Sequence, residues 1–218
     1  MTKNLQLTFI CSLFVGCSSA QDCNPSINLL PMYGNIPKCK EQLQSDKKFI
    51  AFADLKFKDR KTASLSYIKL GWDYYYKNDP ETAMKRFNQA WLLDSLNADI
   101  YWGFGNLLGK KGELKASIPY FEKSLRLNQN NSKVYEGLAI SYCLLFDKTR
   151  DLKILNKAIE TLRKADSLDK NNPRILAQLT TAYSYYVQKD SAYKYLSLTD
   201  KIDPTAIHPE VRALLKKR

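Results

Sequence analysis

The chain has 218 residues, with 34 Lys and Arg against 22 Asp and Glu and a formal net charge of +12. Apolar residues make up 44% and charged residues 26%, the balance of a soluble globular protein, while 8 Gly and 8 Pro argue against collagen-like, linker-dominated and glycine-loop architectures. A single His excludes multi-histidine metal centres and leaves one candidate for histidine catalysis.

Residues 1–20, MTKNLQLTFICSLFVGCSSA, carry one early cation, an apolar run and small residues ending at Ala20. That order predicts a secretory signal peptide, and the apolar run is too short to span a bilayer. Two processing routes stay open. Ser18, Ser19 and Ala20 suit ordinary signal cleavage before Gln21, whereas Leu13 to Cys17 is similar to a bacterial lipobox, with Phe14 in an unusual place and Cys17 as the lipidated residue. Either route predicts export, to the periplasm or as an outer-membrane lipoprotein of a bacterium. Loss of Lys3 would leave a net charge of +11.

Residues 21–61 are expected to form an N-terminal segment, extended over 21–44, followed by a packing helix. Ser45 or Asp46 would cap that helix, which reaches about Lys58 with Phe49, Ile50, Ala53 and Phe57 on one side. Cys23 and Cys39 flank a stretch containing Pro25, Pro31, Gly34 and Pro37. In an oxidising compartment a 23–39 disulfide would stabilise this stretch by about 3 kcal/mol; two free thiols are the other reading. No metal site is expected, because no His or third Cys lies nearby.

From residue 62 onward the sequence repeats with a 34-residue period. Unit 64–97 places Tyr67, Leu70, Gly71, Tyr74, Ala83, Phe87 and Ala90 in order, and unit 98–131 places Tyr101, Phe104, Gly105, Leu108, Ser117, Phe121 and Ser124 at the same offsets. Unit 132–172 has Tyr135, Leu138, Ala139 and Tyr142, then Ala158, Leu162 and Ala165 after seven extra residues. Unit 173–206 has Leu176, Leu179, Thr180, Tyr183, Ala192, Leu196 and Thr199. Tyr67, Leu70 and Tyr74 share one helical face. Gly71 and Gly105 cost about 1 kcal/mol each in mid-helix, which makes sense where a neighbouring helix crosses closely. Pro119 should kink its helix or shift the helix start. Residues 207–218 read as a terminal capping helix, with Val211, Leu214 and Leu215 in a stripe.

This pattern resembles the tetratricopeptide repeat family. The resemblance implies an all-α, right-handed solenoid of four helix-turn-helix repeats over 62–218. It further implies a non-enzymatic scaffold or adaptor that holds a protein or peptide partner in its concave groove. By repeat position the inward-facing residues are Leu65, Ile68, Trp72, Tyr75 and Tyr76; Asp99, Trp102, Asn106 and Lys110; Lys133, Glu136, Ile140 and Cys143; and Arg174, Ala177, Thr181, Ser184 and Tyr185. Trp72, Tyr75, Tyr76, Trp102, Asn106 and Lys133 are the candidate contact residues, since aromatic rings bury large areas at low rotamer cost. The same rings could instead pack as core. The positions of a peptide-carboxylate clamp hold Ile68, Trp72 and Gly103, and only Lys133 fits that pattern. An alternative role is a structural subunit of an envelope assembly, contacting partners through the N-terminal segment.

No catalytic constellation, cofactor or metal is expected. His208 lies beside Pro209 with no nucleophile near it, and Cys143 reads as a packing residue. Gly105 to Lys111 lacks the spacing of a phosphate loop. An enzyme would require a carboxylate pair in the groove, such as Asp99 with Glu136, and nothing in the spacing demands one. Nucleic acid is not an expected partner, and membrane contact is expected only through a lipid anchor.

Overall fold

The computed structural model describes residues 23–185 and 188–217; the expected signal peptide over 1–20 and the expected lipidation residue Cys17 lie outside them. Among the described residues there are ten α-helices and no strand. Helix α1 (Lys40–Lys56) precedes four hairpins: α2 (Arg60–Tyr76) with α3 (Pro80–Leu93), α4 (Ala98–Lys110) with α5 (Leu114–Leu127), α6 (Ser132–Thr149) with α7 (Leu152–Leu168), and α8 (Pro173–Tyr185) with α9 (Lys189–Ile202). Helix α10 (Pro209–Lys217) closes the stack. The hairpins build a right-handed solenoid.

Local chemistry sets where each helix begins. Asp59 accepts from the Thr62 N–H at 2.7 Å and Asp79 from the Thr82 N–H at 3.0 Å, with Pro80 in the first turn of α3. Asn97, Asn131 and Asp151 cap α4, α6 and α7 in the same way. Each satisfies an orphan donor at a helix start, worth about 1 kcal/mol. Asn78 and Asn171 take left-handed backbone in the connecting turns, where Asn is tolerated.

Phenylalanine wedges lock successive hairpins. Phe87 of α3 is fully buried, and a Cβ on Gly71 or Gly103 would come within 2.8 or 2.5 Å of its ring. Phe121 of α5 sits between Gly105 and Gly137, where a Cβ would approach to 3.0 and 2.7 Å. The two glycines flanking each ring belong to the first helices of consecutive units, so each ring fills space that only glycine leaves open. In the third unit Leu162 takes the ring's place, fully buried, and Ala139 stands where the earlier units have Gly71 and Gly105.

The seven extra residues of the third unit do not make a long turn. They lengthen both of its helices: α6 has 18 residues against 13 in α4, and α7 has 17 against 14 in α3, α5 and α9. Pro119 lies inside α5 without moving its start from Leu114. It removes the donor to the Lys115 carbonyl, and both residues face water, which can serve that carbonyl instead.

The N-terminal segment departs from the expected extended chain. Residues Pro25–Leu29 and Pro31–Asn35 form 3-10 turns, and α1 starts at Lys40 rather than at Ser45 or Asp46. Gln42 accepts from the Cys39 N–H at 3.1 Å and so fixes the earlier start, while Asp46 pairs with Lys38. Cys23 and Cys39 are joined by a disulfide, with Cα atoms 5.3 Å apart. The segment lies as a strap on α3: Ile27 and Tyr33 are buried, and the buried Asn88 amide donates to the Asn28 and Leu30 carbonyls at 3.0 and 2.9 Å. Met32 and Tyr33 take left-handed backbone, a strain of about 1–2 kcal/mol each that these contacts hold in place.

Candidate interaction surface

The first helices of the hairpins line one face, and its two ends differ. At the N-terminal end four rings gather. Trp72 and Trp102 have centroids 4.3 Å apart, and Trp72 lies 5.4 Å from Tyr75 and 6.1 Å from Tyr76. The spacing of Trp72, Tyr75 and Tyr76 along α2 puts them on one face, and the next hairpin delivers Trp102 beside them. The cluster is part core and part surface. Trp72 meets the buried Phe87 ring at 5.4 Å, and Trp102 packs against the buried cluster of Phe121 and Leu138, whereas Tyr76 is 77% exposed.

Polar groups around these rings are unevenly engaged. The Lys110 ammonium stands 4.8 Å above the Tyr75 ring, a cation–π contact. Burial and the neighbouring Tyr76 raise the Tyr75 hydroxyl above its ordinary range. The Trp102 indole N–H is shut from solvent and meets no acceptor among the described residues. Asn106 donates to the Trp102 carbonyl of its own helix at 2.8 Å, so its amide is turned along α4. Lys133 is exposed at the first turn of α6. Ile68 is a core residue at 6% exposure, and Leu65 is open at 55%.

The C-terminal end holds a cleft of about 400 Å³ between α6 and α8. Ile140, Cys143, Ala177, Thr181 and Tyr185 line it, all at inward repeat positions. Phe146 and Asp147 form part of its wall, and they come from the turn by which α6 outruns α4. Ala206 and His208, from the connection into α10, close the far side. The lining is mainly apolar. At its rim Arg174 donates to Glu136 at 2.9 Å and Gln178 donates to the same carboxylate at 3.2 Å. Glu136 is thus held in an ion pair across the groove. Burial, with a smaller contribution from Asp147, pushes the Cys143 thiol up to about 12, so it is a neutral packing group at ordinary pH.

Sequence reasoning singled out the aromatic end and named several of the cleft's side chains without seeing that they enclose a cavity. The seven-residue insertion was the available signal, since an irregular unit breaks an otherwise even groove.

Residues 98–131, the span of α4 and α5 with their flanking turns, match the family model described as tetratricopeptide repeat. The fold is that of a tetratricopeptide-repeat array. A tetratricopeptide protein of Thermus thermophilus superposes with a TM-score of 0.57 at 16% identity, over 71% of this chain and 80% of that one. YrrB, described as a tetratricopeptide protein with an unusual peptide-binding site, superposes with a TM-score of 0.55 at 20% identity, over 90% of this chain and 93% of its own. MamA does so with a TM-score of 0.56 at 21% identity, over 73% and 87%. A repeat-containing protein of Methanocaldococcus jannaschii is 30% identical over 105 residues, which is 48% of this chain. The chain spans 18% of that relative's length.

Proposed function

We propose that this protein is a non-enzymatic interaction scaffold of a bacterial cell envelope, holding an extended segment of a protein partner along its concave face. The observation that carries this reading is the open groove of the array, with a half-exposed aromatic cluster at one end and an apolar cleft at the other. Rings offer contact area with little rotamer loss, and the cleft can take an apolar side chain out of water. The peptide-binding site ascribed to YrrB supports the same use of the fold. Export rests on the leader read from the sequence.

The test is selection of peptides from a displayed random library on the purified chain, followed by solution affinities. Trp72→Ala/Trp102→Ala should weaken peptides seated at the aromatic end at least tenfold. Ala177→Trp, which fills the cleft, should do so for peptides seated at the other end. Selected peptides that bind wild type and both variants equally would reject the groove as the site.

A second reading, a structural subunit that meets partners through residues 21–61, draws support from the way this segment is folded onto α3 and bridged by a disulfide. Deleting the segment is a poor discriminator, because it would uncover the surface that Ile27 and Tyr33 bury. Exposed substitutions such as Leu30→Asp and Ile36→Asp keep the strap in place and separate the two readings.

A further inference from the structure

We propose that the outer face of α1, with the basic residues that follow it, is a seat on an anionic lipid surface. Helix α1 turns a narrow inner side to the body, where Phe49, Ala53 and Phe57 meet Ala63, Tyr67 and Leu93. Its outer side is a different surface. Lys40, Gln44, Lys47, Lys48, Ala51 and Leu55 recur at three- and four-residue steps and are all exposed. Leu55 is 80% exposed, and Leu43 and Phe52 flank this side at 49% each.

The charges around this face are one-sided. Residues 38–61 carry eight Lys and Arg against four acids. Asp46 is taken by Lys38, Asp54 by Arg60, and Asp59 caps α2 at the Thr62 N–H. Lys40, Lys47, Lys48, Lys56, Lys58 and Lys61 are left facing solvent, with Glu41 the only other acid in the stretch. Exposed Leu and Phe bordered by lysines match a lipid interface. The lysine stems lie along apolar surface with their ammonium groups at phosphate level, and the apolar side chains enter the acyl boundary.

The covalent path points the same way. The disulfide holds Cys23 5.3 Å, Cα to Cα, from Cys39 at the head of α1. Cys17 is six residues before Cys23, a reach of at most about 20 Å. Under the lipid-anchor reading, the acyl chains are therefore tethered within about 20 Å of Cys23. The seat itself does not require that reading, and the experiment removes it.

The chain from Gln21 to Arg218, purified with its disulfide formed, is sedimented with vesicles of phosphatidylcholine alone or mixed with phosphatidylglycerol. Wild type should bind the mixed vesicles, bind phosphatidylcholine at least tenfold more weakly, and lose binding as salt rises. Lys47→Glu/Lys48→Glu and Phe52→Glu/Leu55→Glu should each weaken binding at least tenfold while keeping the wild-type helical circular dichroism. Lys153→Glu/Lys164→Glu makes the same charge change on α7 and should cost much less. Equal losses from the α1 and α7 charge variants would mean attraction by net charge alone and overturn the proposal. Absence of binding to the mixed vesicles would also overturn it and leave the face to an acidic protein surface.

Discussion

The contact between Gly103 and Phe87 shows how much one hydrogen-for-methyl change can decide. Gly103→Ala gains helix propensity worth about 1 kcal/mol but drives a Cβ into a buried ring, an overpacking cost of about 1–3 kcal/mol. The net expectation is a lower midpoint in urea. Gly109→Ala is the control, since its Cβ would meet only Ser141 Oγ at 3.7 Å, and it should raise the midpoint. Gly71 and Gly105 were legible as crossing points because they interrupt amphipathic helices at repeated offsets. Gly103 and Gly137 were not, because the repeat pattern marks only one side of each ring, and the second side is set by the neighbouring unit. Asp99 gives a pH test. Partial burial raises its carboxyl above the ordinary range, so the folded chain holds this proton more tightly than the unfolded one. The group favours folding as pH falls through the raised value and opposes it above. Asp99→Asn should therefore raise Tm at pH 7 and lose that advantage near pH 3. Cys143 gives a third expectation. With its thiol at about 12, iodoacetamide at pH 8 should leave it unlabelled in the native chain on a timescale that labels it fully in guanidinium.

At the level of elements, the hairpins were readable and the N-terminal strap was not. Alternating stripes, Asn and Asp caps and a fixed period specify a helical pair from local sequence alone. The strap is set by distant partners: the Asn88 amide 58 and 60 residues away, and a disulfide across 16. No local pattern announces left-handed backbone at Met32 and Tyr33. Asn88→Ala should lower stability by about 1 kcal/mol, because the two hydrogen bonds that tie the strap to the buried Asn88 side chain are lost. Reducing the disulfide should loosen the same stretch. Amide hydrogen exchange should then rise over residues 27–42 in both cases and stay unchanged in α6 to α8. The helix lengths of the third unit were also beyond sequence reading, since an insertion near a turn looks the same whether it extends the turn or the helices.

Across the whole molecule, each hairpin touches chiefly its neighbours, so damage should stay near its source. Leu215 of α10 is 5% exposed in the C-terminal core, and the Tyr193 hydroxyl donates to its carbonyl at 2.7 Å. Leu215→Ala should cost about 2–5 kcal/mol of local stability, read as faster exchange in α8 and α9 with α2 and α3 unaffected. The overlong α6 has a consequence for recognition. A stack of identical units is indifferent to translation: a bound strand could slip by one unit and find the same contacts. The added turn with Phe146 and Asp147 occurs once, as does the ring cluster at the other end, and both break that equivalence. Each supplies a fixed origin, like the notch on a ruler, from which anything lying along the ribbon is counted.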